Sequence, residues 1–274
     1  MSSYVITGAS RGIGFEFLRQ LSADPAAIVI GLVRDKAATE KKVAAEIGRS
    51  NIHIFRGDLV DYESLKKAAE ETSKITDGKL DYLIANGAFL TKYSAFKTFG
   101  EMADEPELLE EDLNLNLKTN VIGNIHLINL FVPLIKKGKA KKVISITSGH
   151  ADIDLVNNYD VDVTGPYALG KAALNLAIAK YSAEYKKEGI LFMSISPGVV
   201  DTSGHNDADG LNETEKKHLE EMGRTFAAIA PPGFRGAITP EESVRLMMDV
   251  IGKASVERGD GGSFVSQHGN KQWL

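Results

Sequence analysis

Cysteine is absent from the 274 residues. Disulfides and thiolate metal sites are thereby excluded, and a reducing, cytoplasmic setting is expected. An excess of positive charge is also absent. Lys and Arg number 32 against 37 Asp and Glu, a net charge of −5, and the cations are scattered. Such a chain is not expected to have nucleic acid as its main partner. No long hydrophobic run occurs. The longest, Val121 to Ile135, is broken by Asn124, His126 and Asn129, and is too short and too polar to span a bilayer. The first strand-like run, Tyr4-Val5-Ile6, leaves no room for a leader, so no membrane association is expected. Repeats and Pro/Gly-rich linkers are missing too, and one domain over residues 1–274 is expected.

What is present is an alternation of short apolar runs with longer helical ones. The strand-like runs are Tyr4–Ile6, Ala27–Val33, Ile52–Phe55, Leu80–Ala85, Lys142–Thr147, Leu191–Ser196 and Ser263–Val265. Most are continuous in Val, Ile and Leu, the pattern of strands buried on both faces of a parallel sheet. Helices are expected at Ile13–Ala23, Asp35–Ile47, Tyr62–Thr76 and Glu107–Lys136, the last kinked or split near Asn116–Asn120. Another runs from Pro166 to Lys187 and stops before Gly189. Asn212–Glu215 and Thr239–Glu242 read as capping boxes. Repeated βα units imply an α/β fold: one doubly wound, Rossmann-type parallel sheet of seven strands with helices on both faces. Ligands then bind beyond the carboxyl ends of the strands.

Between the first strand and first helix lies Thr7-Gly-Ala-Ser-Arg-Gly-Ile-Gly14. Gly8, Gly12 and Gly14 allow a tight turn and close approach of backbone to a pyrophosphate at a helix N-terminus. After the second strand come Arg34 and Asp35. With Arg11 in the glycine turn, Arg34 forms a cationic pair suited to the 2′-phosphate of NADP(H). The other reading pairs Arg34 with Asp35 in solvent. Asp58, after the third strand, either accepts a hydrogen bond from an adenine or caps the next helix. Farther on, Tyr167 and Lys171 stand four residues apart, which stacks a phenol and an ammonium on one helix face.

The glycine turn, Tyr167/Lys171 and Ser196-Pro-Gly198 together resemble the short-chain dehydrogenase/reductase family, over nearly the whole chain. Leu83-Ile-Ala-Asn-Gly-Ala88 resembles that family's Asn-Asn-Ala-Gly motif in altered form, with Asn86 matching. The closest patterns are those of C-factor/sniffer-type carbonyl reductases and fungal ketoreductases. The resemblance implies a catalytic set of Asn120, Ser148, Tyr167 and Lys171. Tyr167 would protonate a carbonyl oxygen, and Lys171 would bind ribose hydroxyls and support the tyrosinate. A cation at ~4 Å would contribute about 4 kcal/mol, lowering the phenol toward the working pH. Ser148 would bind the substrate carbonyl, with Thr147 as the rival hydroxyl. Asn120 would kink its helix and hold a relay water, with Asn114 and Asn116 as decoys. The implied cofactor set is Gly8, Ser10, Arg11, Gly12, Ile13, Gly14, Arg34, Asp58, Leu59, Asn86, Tyr167, Lys171, Pro197, Gly198, Val200 and Thr202. Thr202 has a second reading as a plain turn residue.

The expected activity is hydride transfer between NADP(H) and a ketone, aldehyde or secondary alcohol. A dehydratase, cyclisation catalyst or regulatory scaffold on the same fold is the alternative. Phe89–Glu105, His150–Thr164 and Ser203–Arg235 are expected to line the pocket, the last as a lid. Their aromatics either face substrate or pack a small core of their own. His205, Asp207 and Asp209 read as a polar loop, not a metal site. Trp273 is placed to reach a pocket or a second subunit. Ala168, Ala172, Ala173 and Ala177 flatten a helix face, and the resemblance implies a homodimer or homotetramer.

Overall fold

Seven runs of mainly apolar residues form the strands: β1 (Ser3–Thr7), β2 (Ile28–Val33), β3 (Ile52–Arg56), β4 (Tyr82–Ala85), β5 (Lys142–Ile146), β6 (Leu191–Ser196) and β7 (Phe264–Ser266). All neighbours pair parallel in the order β3-β2-β1-β4-β5-β6-β7. The computed structural model describes residues 1–202, 211–230, 234 and 236–274. His205, Asp207 and Asp209 fall outside them, as does part of the expected lid.

The helices are α1 (Gly12–Leu21), α2 (Lys36–Glu46), α3 (Tyr62–Ile75), α4 (Pro106–Asn116), α5 (Gly123–Ile135), α6 (Ile153–Tyr159), α7 (Gly165–Tyr185), α8 (Glu213–Ile229) and α9 (Pro240–Lys253). Each sheet face has its own core. On one side Phe17 and Leu18 of α1, Val43 of α2, and Val244, Met247 and Ile251 of α9 meet Ile6, Ile84 and Ile144. On the other, Leu65 of α3, Phe131 of α5, and Leu174 and Ile178 of α7 meet Val5, Leu83, Val143 and Phe192. Burying each such side chain is worth about 1.5–3 kcal/mol, which is why both strand faces are apolar.

Strands turn to helices through polar caps. Asp35 and Asp61 accept the N–H of Ala38 and Ser64. Asn212 and Glu215 form the expected reciprocal box, at 2.9 Å in each direction. At Thr239 the hydroxyl accepts the Glu242 N–H at 3.2 Å, the forward half of such a box.

The long helical stretch is interrupted where expected: α4 passes into α5 through a π-helical stretch, Leu117–Ile122. After β5, within His150–Thr164, Asp152 caps α6 by accepting the Leu155 N–H at 3.0 Å. Seven residues with mixed apolar positions carry too little periodicity to show in sequence. Among the described residues no helix is long and apolar enough to cross a membrane.

Candidate active site

β1 stops at Thr7, where the carboxyl ends of β1 and β4 part. Gly8 has φ +65°, and a Cβ there would lie 2.8 Å from the Gly87 Cα. A Cβ on Gly14 would collide with the Gly8 carbonyl and the Asn86 amide. Asn86 holds this close approach by donating to the Thr7 carbonyl at 3.0 Å. The Gly87 N–H donates to the Thr7 hydroxyl at 2.9 Å. The product is a backbone cradle at the N-terminus of α1. Arg11, the N-cap residue, makes no side-chain capping bond, and helix N–H groups so placed suit an anion. Ser10 and Arg11 are exposed, while Ile13 packs against the core.

Next to the cradle is a cavity of about 210 Å³ lined by Ser10, Arg34, Asp35, Ala38, Thr39 and Lys42. Asp35 caps α2 here. Arg11, expected to converge with Arg34, is not among the lining residues. Lys42, not foreseen, supplies a cation instead, with its Nζ 3.5 Å from the Ser10 carbonyl. It lies two helical turns beyond Arg34, a spacing readable once α2 is drawn. Asp58 is not the α3 cap. Its carboxylate accepts the Val60 N–H at 3.2 Å, and Asp61 caps the helix. Leu59 lies against the end of β4, where a Cβ on Gly87 would be 3.1 Å from its Cδ1. At the far end, Gly198 has φ +83° and the Pro197 carbonyl accepts the Ser243 hydroxyl at 2.7 Å. Val200 bridges to Ile238. The Thr202 side chain then comes over the glycine turn, 3.2 Å from where a Cβ on Gly12 would stand.

Beyond β5 the chemical groups gather. Ser148 accepts the His150 N–H at 3.3 Å and hydrogen-bonds the Tyr167 hydroxyl. Thr147, the rival, is buried and its hydroxyl meets no partner among the described residues. The 3-10 turn Gly149–Ala151 and α6 fill the 148-to-167 interval without separating the two hydroxyls. Lys171 is only 1% exposed, donates to the Ile146 carbonyl at 2.8 Å, and lies 5.7 Å from the centre of the Tyr167 ring.

The expected lowering of the phenol is not found in the protein alone. Burial pushes Tyr167 up to about 12, and the Ser148 hydrogen bond only partly opposes it. Burial also pulls Lys171 down to about 8. Desolvation outweighs the attraction assumed from spacing, so Tyr167 holds its proton firmly.

Asn120 is fully buried in the π-helical stretch. Its Nδ2 donates to the Phe89 carbonyl at 2.9 Å, and its Oδ1 accepts the Phe89 N–H at 2.8 Å. A Cβ on Gly170 would lie 3.5 Å from the Asn120 Cβ, so this turn abuts the residue before Lys171. Asn116, taken as a decoy, is also fully buried and bonds Asn120 at 3.0 Å. The repeat of Asp112, Asn116, Asn120 and Asn124 at every fourth position was visible as a sequence signal.

The three variable stretches touch one another. A His218 ring nitrogen lies 2.8 Å from the Phe96 carbonyl, and Phe226 packs near Leu155, Val161 and Trp273. Trp273 stacks on Phe264 at 4.5 Å and backs onto Gly149, the residue after Ser148. Phe226 thus follows the small-core reading, while Trp273, expected at a pocket or a second subunit, lines a cavity. A separate cavity of about 410 Å³ lies between α6 and the C-terminal residues Lys271–Leu274.

A backbone cradle and a hydroxyl–phenol–ammonium cluster thus lie together at the carboxyl edge of one parallel sheet, where ligands of such sheets bind. The model of the short chain dehydrogenase family matches residues 3–212, and the chain belongs to the short-chain dehydrogenase/reductase family of oxidoreductases. It is 53% identical over 276 residues to the short-chain dehydrogenase/reductase iacC of Pestalotiopsis fici, with 100% of both chains covered. Among solved structures, NADPH-bound carbonyl reductase from chicken fatty liver is similar at TM-score 0.75 and 25% identity, over 98% of each chain. The carbonyl reductase Sniffer of D. melanogaster shares the fold at TM-score 0.76 and 22% identity, also over 98% of each chain.

Proposed function

We propose that this protein is an NADP-dependent reductase that interconverts a ketone or aldehyde with the matching alcohol. The observation that carries it is the Tyr167 hydroxyl, bonded to Ser148 and neighboured by the buried Lys171. The cradle at Gly8 and Gly14 and the cavity at Arg34 and Lys42 fit a dinucleotide with a 2′-phosphate. A bound nicotinamide cofactor would supply the hydride. The residues of this chain do the rest. Ser148 positions the carbonyl oxygen beside Tyr167. Tyr167, with its pKa held high, carries the proton to that oxygen as negative charge develops there. The Lys171 ammonium offsets the charge left on the phenol. Lys171 and the Asn120 turn then bring a proton back from solvent.

The similarity to an NADPH-bound carbonyl reductase supports the cofactor and the carbonyl substrate. Exposed Leu115, Leu117 and Ile122 on the α4–α5 path, with Leu169 and Leu176 on α7, support a homo-oligomer. The absence of cysteine supports a cytoplasmic setting. The test is NADPH oxidation with a panel of aldehydes, diketones, quinones and aryl ketones. Tight NADPH binding without oxidation by any of them contradicts the reading.

A further inference from the structure

His150 follows Ser148 by two residues, and its N–H donates to the Ser148 hydroxyl at 3.3 Å. Its backbone therefore lies at the Ser148–Tyr167 pair. Its ring reaches across to the other element of the site. The imidazole Nδ1 is 3.1 Å from the hydroxyl of Thr164, the residue that precedes α7 and stands three before Tyr167. The Phe226 ring of α8 meets the imidazole edge-on, with centres 6.1 Å apart. Asp152, two residues on, is committed elsewhere, to the Leu155 N–H at 3.0 Å and to Lys271 at 2.8 Å. Among the described residues no hydrogen-bond partner is seen for His150 Nε2, and the side chain is only half-buried. Burial pulls its pKa below the ordinary histidine value, so the ring is neutral at pH 7.

We propose that His150 is a specificity-determining residue whose Nε2 hydrogen-bonds a hydroxyl group that the substrate carries close to its reacting carbonyl. A neutral imidazole has one donor and one acceptor nitrogen. The Thr164 hydroxyl serves either role at Nδ1, which leaves Nε2 with the other. A substrate hydroxyl both donates and accepts, so it suits Nε2 in either tautomer. The residue after Thr164 adds the apolar half of the recognition. Gly165 opens α7 with the Phe99 ring against its backbone, and a Cβ there would collide with that ring. Phe99 remains 46% exposed. The turn into the Tyr167 helix is thus met by one polar ring, from the Ser148 loop, and one apolar ring, from the 89–105 stretch. A hydroxylated ketone with an aryl or other apolar body matches both.

The inference rests on the proposed reductase activity, and the experiment separates the two. Wild type is first assayed with NADPH and the carbonyl panel; no turnover there overturns both. With an active wild type, α-hydroxyacetophenone and ortho-hydroxyacetophenone are each compared with acetophenone. The quantity read is the ratio of kcat/KM for the hydroxylated ketone to that for the plain one. His150→Leu removes both ring nitrogens and is expected to lower that ratio about tenfold for at least one of the two hydroxylated ketones, the loss of one buried hydrogen bond. A merely structural role lowers both members of a pair alike and leaves the ratio where it was. His150→Gln, whose amide reaches the place of Nε2, is expected to hold the ratio within about threefold of wild type. An unchanged ratio for both ketones in His150→Leu, or a ratio in His150→Gln as low as that of His150→Leu, overturns the proposal and leaves the reductase reading standing. Should His150→Leu not fold, His150→Asn keeps an amide for Thr164 and loses Nε2. The same tenfold fall there supports the proposal, and an unchanged ratio overturns it.

Discussion

Replacing Lys171 by Met removes a buried ammonium at nearly constant side-chain length. The residue is 1% exposed, and burial lowers its pKa from 10.5 to about 8. That difference means the folded state bears roughly 3 kcal/mol at neutral pH to keep the group charged. Losing the hydrogen bond to the Ile146 carbonyl offsets about 1 kcal/mol of the gain. Lys171→Met is therefore expected to be more stable than wild type by about 2 kcal/mol at neutral pH, and inactive. The pH dependence has a definite sign. Between about 8 and 10.5 the unfolded chain keeps the proton that the folded chain has lost, so wild-type stability gains as pH rises through that window. The advantage of the variant is full below about 8, shrinks above it, and reverses within the window, before 10.5 is reached. Urea unfolding followed by the fluorescence of Trp273, the single tryptophan, gives the difference at each pH. A variant less stable than wild type at neutral pH, or a difference that does not change with pH, refutes the reasoning.

Arg34→Ala is expected to weaken NADPH binding by about tenfold to a hundredfold, the loss of one charge-assisted contact, with NADH affinity little changed. Equal losses for the two cofactors in a titration contradict a phosphate role. Trp273→Ala leaves a void against Phe264 and Gly149 and should cost about 3 kcal/mol. Thermal unfolding reads that loss, and an unchanged Tm shows that the C-terminal residues do not brace the Ser148 loop.

The sheet and its ligand edge were legible because continuous Val/Ile/Leu strands and a glycine turn are local signals. Gly8 and Gly14 announce a close approach whatever the rest of the chain does. Tyr167 and Lys171 share a helix face by spacing alone. Their pKa values were not legible, because burial is a property of the whole fold. The cation at Lys171 was expected to dominate, and desolvation dominates instead. Asn116 was set aside because a helix asparagine is commonly solvated, yet it is the middle of a buried file. Lys42 was missed because only the turn of α2 brings it to the Arg34 cavity. Likewise α6 depends on the Asp152 cap, and the same carboxylate meets Lys271 at 2.8 Å, a contact 119 residues away in sequence.

The central claim is that Tyr167 delivers the proton to a carbonyl. Its most direct test is NADPH consumption by wild type and by Tyr167→Phe with a carbonyl the wild type reduces, together with the NADPH Kd of both. The expected result is a fall in kcat of about a hundredfold to ten-thousandfold, with the NADPH Kd nearly unchanged. Turnover by Tyr167→Phe at the wild-type rate would contradict the account.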